Sequence, residues 1–418
     1  MPVTIITYAQ TNTPAYNNQN LVASSVNSSQ TDFKYVVTVA INDGYYSDNV
    51  TLKIPARPDN KKLYYNPQRI VEAQIKSSFD TTITDFTPAL LATPSQIKKV
   101  TVGVDEEYGN PVSGFAGTSA SYYVWNAAYD ALDFTSFVYS SGSLAKDLTL
   151  VPNLTETINY NQKYLMKSWH RGFASTNLRY CNIKCYNSNG SILLQSSILE
   201  NNYYNTSAGP TGYFRNYLTL NCSPNGLNTY SGTITSKSSL FDDIVPSNTA
   251  YYTIQFSDTN FGTPNTNTYR INIANYCSKY SRYTVHFLNK LGNYDSFTFI
   301  LLSKNTTDKE TDMYKKIPYT LDSSNKYRYE KYTNDTVIYN TVLTNKITLN
   351  SDWVNEATYT WLRDLFMSPD IKLENSSGDI ISVKCNIKNY ESKKKVNDKL
   401  FNATIDLENS LQDVRQRA

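Results

Sequence analysis

Residues 286–299 read HFLNKLGNYDSFTF. The stretch holds His286, one of only two histidines in the chain, and a nearby acid, Asp295. Two readings compete: half of an active site, or a β-hairpin. Alternation favours the hairpin. Tyr283, Val285 and Phe287 share one face of a rising strand, and Phe297, Phe299 and Leu301 share one face of the return. NKLGN supplies the turn, and Asp295 is expected to hold it through side-chain-to-backbone bonds. His286 alternates onto the face opposite Val285 and Phe287.

Outward from this hairpin, the composition leans the same way. The chain has 418 residues, beyond the roughly 250–300 at which single cores stop growing, so two or three domains are expected. Charged residues make up 18%, below the usual ~25%. Asn, Thr, Ser and 36 tyrosines supply the polar surface instead. Tyr and Thr suit pleated, half-buried surfaces. The net charge of +3 gives no case for nucleic acid, which needs a clustered basic face. The basic run Lys393–Lys394–Lys395 reads as a solvated loop.

The first residues lack a basic n-region and a long apolar h-region, so no secretory signal is expected. No run approaches ~18 apolar residues, so no membrane insertion is expected. The five cysteines are odd in number and widely spread, which fits reduced residues in a cytoplasm. The sequons at 49–51 and 153–155 are then chance matches in an Asn-, Ser- and Thr-rich chain.

Strand signals recur along the chain. In residues 33–54, Phe33, Tyr35, Val37 and Val39 alternate, a turn follows at NDG, and Val50, Leu52 and Ile54 return. NPQRIVEAQIKSSF reads as a short helix, with Asn66 as cap and Pro67 at the first helical position. SYYVWNAAYDALDF fits a strand followed by a helical turn. SDWVNEATYTWLRDLFMSP is the strongest helix pattern: Trp353, Ala357, Trp361 and Leu365 recur at i, i+4, Ser351 or Asp352 caps the start, and Pro369 stops it. The expected fold class is mainly β, with tandem antiparallel β-sandwich domains and a small C-terminal α+β part. The expected domains are a first sandwich over 1–158 with a helix near 66–76, a second over 159–320, and an α+β domain over 321–418 with a helix near 352–367.

Residues that could carry chemistry are few. The chain has no Gly-rich phosphate loop, HExxH, GxSxG or EF-hand pattern. GNPVSGFAG at 109–117 reads as a flexible loop. His170 and His286, in aromatic surroundings, read as packing or surface residues rather than catalysts or ligands. Cys181 and Cys185 lie on one strand face but ~13 Å apart at ~3.3 Å per residue, too far for a disulfide. They read as buried small residues. Asp105–Glu106–Glu107 and Asp242–Asp243 are adjacent on strands and point to opposite faces, so neither cluster offers the ~5–9 Å opposed pair of a glycosidase. No catalytic, cofactor-binding or metal-binding residue is assigned, and no cofactor.

RYTVHFLNKLGNYDSFTF resembles a signature of structural proteins from tailed bacteriophages of Bacteroidota hosts, crAss-like phages included. There a strand ends in an Asn–basic–Leu–Gly turn and Asp–x–Phe–x–Phe begins the return. Here these positions are Asn289, Lys290, Leu291, Gly292, Asp295, Phe297 and Phe299. A second glycine often follows the first in that group; Asn293 stands here, and Asn tolerates positive φ. VTVGVDEEYGN, YYVWNAAYDALDF, the Trp353–Leu365 pattern, KLFNATIDLE and the terminal RQR fall in the same order. The resemblance implies a non-enzymatic virion component of a tail, collar or baseplate ring. Its implied partners are further copies around the tail axis and other tail, collar or portal-proximal proteins, with assembly in the host bacterial cytoplasm. An alternative is a receptor- or glycan-binding adhesin using exposed aromatics, with Trp125 and Trp169 as the first residues to test. A third, a glycan-cleaving enzyme with carboxylates from separate strands, has no motif behind it.

Overall fold

The computed structural model describes residues 3–10, 12–42, 47–77, 79, 81, 89–91, 97–135, 151–152, 154–169, 180–199, 217–230, 234–236, 242–257, 260–264, 266–274, 279–329, 331–332, 334–386 and 400–415. The chain is mainly β, 54% strand and 8% helix. It divides into two compact units. One comprises Met1–Tyr276 with Asn289–Asp295, the other Cys277–Leu288 with Ser296–Ala418.

The first unit contains two sandwich-like pairs of sheets. In the first pair, a five-stranded sheet runs in the order Asn12–Pro14, Ser113–Trp125, Ile97–Tyr108, Lys34–Asn42, Ser47–Pro55. It shares a core with the three-stranded sheet Val3–Thr7, Leu21–Ser25, Leu63–Tyr65. The alternation seen in the sequence sets which face is buried. Tyr35, Val37 and Val39 are fully buried beside Val100, Val102 and Val104 of the neighbouring strand. Val50, on the return strand, is exposed because Ser47–Pro55 is the outermost strand. The NDG turn that joins the two strands lies partly outside the described residues.

The second pair combines a six-stranded sheet (Thr155–Ile158, Tyr269–Ile273, Tyr251–Ser257, Tyr180–Tyr186, Ile192–Leu199, Ile234–Ser236) with a three-stranded one (Leu165–Trp169, Tyr217–Asn221, Ala89–Leu91). Its core joins Ile183, Cys181 and Cys185 to Tyr252, Phe256, Ile271, Met166 and Leu220. The two cysteines are the small buried residues the sequence suggested. Cys185 donates to Ile244 O at 3.4 Å, and burial pushes its thiol pKa up to about 12.

The second unit is built on one eight-stranded sheet, with a separate two-stranded sheet of Tyr319–Leu321 and Tyr327–Tyr329. The order of the larger sheet is Tyr294–Phe299, Tyr283–Leu288, Ile371–Glu374, Ile380–Cys385, Leu400–Asn409, Thr336–Asn355, Lys304–Lys315, with Asp413–Arg415 also paired to Thr336–Asn355. Strands within 283–315, which the sequence placed in the second sandwich, therefore belong to this sheet. Periodicity identifies a strand but not its partners.

Both helix expectations need correction. The first helix spans only Gln68–Glu72, although Asn66 Oδ1 does accept the Gln68 amide, at 3.1 Å. At 352–367 the strand continues to Asn355, and two short helices follow, Glu356–Trp361 and Arg363–Met367. The N-cap is Asn355, whose Oδ1 accepts Thr358 N at 2.8 Å, not Ser351 or Asp352. Ser351 Oγ instead accepts Ala403 N at 2.8 Å, at the register shift against Leu400–Asn409. Strand pairing thus overrides helical periodicity. Leu362 and Leu365 carry the helices onto the core of Val285, Phe287, Phe299 and Ile405, whereas Trp353 is 64% exposed. Leu365→Ala is therefore expected to cost about 2–5 kcal/mol, and Trp353→Ala less than about 0.5 kcal/mol. Urea unfolding of the two variants checks the contrast, which a helix beginning at 352 with Trp353 buried would erase.

Candidate functional site

The hairpin expectation holds. Thr284 and Thr298 hydroxyls meet at 3.0 Å across the two strands, and Val285, Phe287 and Phe299 enter the core. His286 is fully buried, and its ring is held at both nitrogens. Nδ1 lies 2.7 Å from Ser296 Oγ and Nε2 lies 2.7 Å from Glu374 Oε2. The set of serine, histidine and acid invites comparison with a hydrolase triad. In such a triad the serine bonds Nε2 and the acid bonds Nδ1; here the nitrogens are reversed. Ser296 is only 4% exposed, so its hydroxyl meets no substrate in this conformation. The group satisfies buried polar atoms across neighbouring strands.

The turn belongs to the first unit. Asn289, not Asp295, holds it directly. Asn289 Oδ1 accepts Leu291 N at 2.9 Å and Asn293 N at 3.0 Å. Asp295 acts one step back, accepting from Asn289 Nδ2 at 2.9 Å. The backbone then serves its surroundings: Trp125 Nε1 donates to Leu291 O at 3.1 Å and Ala128 N to Lys290 O at 2.9 Å. Asn293 Nδ2 donates to Leu165 O at 2.9 Å, so this Asn contributes through its amide rather than a positive φ. Lys290 Nζ sits 3.0 Å from Asp133.

Trp125 is thus buried, with its indole N–H committed, and cannot serve as an exposed sugar platform. The Trp169 side chain, His170 and the 393–395 lysines lie outside the described residues. The acidic clusters are explained locally. Glu106 accepts from Ser25 Oγ at 2.5 Å and Asn27 Nδ2 at 2.7 Å, Glu107 meets Lys53 at 2.7 Å, and Asp105 accepts Gly117 N at 2.7 Å. Asp242 and Asp243 are exposed. The segment read as a flexible loop at 109–117 is a turn with a cis Asn110–Pro111 bond, and from Ser113 it is strand. Among the described residues no group of three or more His, Cys, Asp or Glu could hold a metal ion, and no helix is long and apolar enough to cross a membrane.

Sequence reasoning missed two features. The first is Glu156, buried, with Oε1 lacking a hydrogen-bond partner among the described residues. Burial, and then the Asp295 carboxylate, hold its pKa well above the usual carboxylate range. The second is a ribbon. Strands Lys304–Lys315 and Thr336–Asn355 pair from Lys304↔Thr348 to Lys315↔Thr336. The ladder to Leu400–Asn409 reaches only Lys346, and Asp413–Arg415 covers only 341–343. Over 312–340 the described residues offer no third strand. The small hairpin Tyr319–Leu321 and Tyr327–Tyr329 closes this arm, turned by Asp322 Oδ1 on Ser324 N and Lys326 N. Met313, Tyr314, Ile317, Leu321, Tyr327 and Tyr329 are exposed, and Tyr332 is 81% exposed. The signal was available in the tyrosines of YKKIPYTLDSSNKYRYEKY, but burial and exposure read alike there.

No protein-family model matches the chain, and no curated protein matches it.

Gly292 has φ +94°, and a Cβ there would run into the Asn126 carbonyl oxygen. Gly292→Ala is expected to cost about 2–5 kcal/mol, read from the shift in thermal midpoint. Glu156 sets a pH dependence. Its raised native pKa means the native state binds more protons than the unfolded one, so stability falls as pH rises above the unfolded carboxylate value towards the native one. Denaturation midpoints at pH 5 and pH 8 should differ less in Glu156→Gln than in the native sequence.

Proposed function

We propose that this chain is a non-enzymatic structural component of a tailed-phage virion, part of a tail, collar or baseplate ring built from copies of itself and neighbouring virion proteins. The observation that carries this reading is the arm over 312–340. A two-stranded ribbon is marginal in water, and exposed clusters of large apolar side chains mark contact surfaces. Its base carries Asp308, Lys309, Glu310 and Asp312, the charges that blunt sheet edges against indiscriminate pairing. Beyond them Met313, Tyr314, Ile317, Leu321, Tyr327, Tyr329 and Tyr332 are exposed among Lys315, Lys316, Lys326 and Arg328. Large exposed rings interleaved with cations fit a contact surface that is part apolar and part charged. An arm on one copy received by a different surface on the next is a heterologous contact, which closes into a ring when the rotation allows. The order of sequence stretches that resemble those of phage structural proteins supports the same assignment.

The test compares the full chain with a variant in which residues 313–338 are replaced by a short turn. Light scattering gives mass in solution, and electron cryo-microscopy of purified particles gives location. The expected result is a symmetric oligomer, alone or on the particle, that the shortened chain fails to join while keeping its near-UV circular dichroism. A full-length chain that is monomeric and absent from particles overturns the proposal.

A further inference from the structure

A cleft of about 630 Å³ opens in the first unit, within the ~300–1,000 Å³ of ordinary small-ligand sites. Tyr8, Tyr64, Tyr65 and Phe134 supply aromatic surface, and Asn18 and Asn20 supply amides. Among the described residues no Asp, Glu, Lys, Arg or His lines it. Parts of the wall are held in place. Arg57 lies over the Tyr64 ring, 4.5 Å from its centroid, and Asn60 Nδ2 donates to the Tyr64 hydroxyl at 3.1 Å. Asn66 Nδ2 donates to Asn18 Oδ1 at 3.1 Å, which fixes that amide and leaves its N–H groups for a ligand. Tyr8 and Asn20 are exposed and make no hydrogen bond within the described residues.

This lining selects by chemistry. A charged ligand would find no counter-charge, and nucleic acid no basic groups. A purely apolar ligand would cover the amides of Asn18 and Asn20 without pairing them. A peptide docking by strand addition needs pockets for alternate side chains, and the aliphatic lining is confined to Ala9, Leu21 and Val22. A saccharide has an apolar C–H face for an aromatic ring and hydroxyls that both donate and accept, which suits Tyr and Asn together.

We propose that this cleft binds a neutral oligosaccharide, with a sugar ring against Tyr8 and hydroxyls on the amides of Asn18 and Asn20. The cleft shares no residue with the arm, so it adds a recognition function that the ring reading neither needs nor excludes. Saturation-transfer NMR on the full chain tests it, using maltotriose, cellotriose, chitotriose and mannotriose, with sialyllactose as the charged comparison. Transfer to at least one neutral trisaccharide is expected. Affinity should fall at least tenfold in Tyr8→Ala and in Asn20→Ala, two exposed positions, and hold in Tyr327→Ala on the arm. Circular dichroism checks that each variant is folded. No transfer to any neutral trisaccharide, transfer unchanged in both cleft variants, or a preference for sialyllactose overturns the proposal.

Discussion

The turn Asn289–Asp295 is the constraint on which the second pair of sheets in the first unit depends. Its conformation is set internally: one Asn side chain takes two backbone amides, and a glycine adopts φ +94° where no Cβ fits. Its outward-facing carbonyls and the Asn293 amide then satisfy Trp125, Ala128 and Leu165. Buried groups of this kind cost about 1–3 kcal/mol each when left unpaired. The core beside Trp125, which also receives Leu291, is therefore incomplete until the chain has been made through residue 295. Contacts this distant in sequence are formed late and slowly. During synthesis the second pair of sheets therefore waits for this turn, whereas the core of the first pair draws only on residues 3–124.

The hairpin was legible because its signals agree. Alternation, turn chemistry and strand length all point to one structure around Asn289–Gly292. The same agreement made Tyr35, Val37 and Val39 readable as a buried face. It failed at Ser351–Trp353, where a sound helical spacing lost to pairing with Leu400–Asn409. It failed again at Asp295, because a carboxylate near a turn does not reveal whether it binds the backbone or another side chain. Glu156 was beyond reach. One acid in a polar strand, TETI, gives no sign that folding brings Asp295 close enough to raise its pKa. The cleft was equally hidden, since Tyr8, Asn20, Tyr64 and Phe134 are scattered through the first 134 residues.

His286 shows why chemistry must be judged by access as well as partners. Ser296, His286 and Glu374 make two 2.7 Å hydrogen bonds, as short as those of a working triad. Yet the serine is closed from solvent and contacts the wrong nitrogen for that comparison. What the group does supply is register. His286 sits opposite Lys372 in the strand ladder, and Glu374 lies two residues further along that strand. A one-residue slip would carry the imidazole to the apolar face and leave Ser296 and Glu374 without it. A buried polar group of this kind specifies one pairing more sharply than it adds stability.

Tyrosine abundance reflects the same division between inside and outside. In the cores the hydroxyl is committed: Tyr35 to Lys61 O, Tyr122 to Gln19 Oε1, Tyr252 to Cys222 O. Each buries a large ring while pairing a polar atom that an apolar residue would have left alone. On the arm, Tyr327, Tyr329 and Tyr332 present the same ring to solvent. Neither use is visible in the residue count. What separates them is the neighbouring sequence. The core tyrosines are in strands whose alternation repeats on both sides, whereas the arm tyrosines alternate with Lys, Arg and Glu in a ribbon that no second layer covers among the described residues. A Tyr-rich composition therefore says nothing of burial or exposure until the partners of each strand are known.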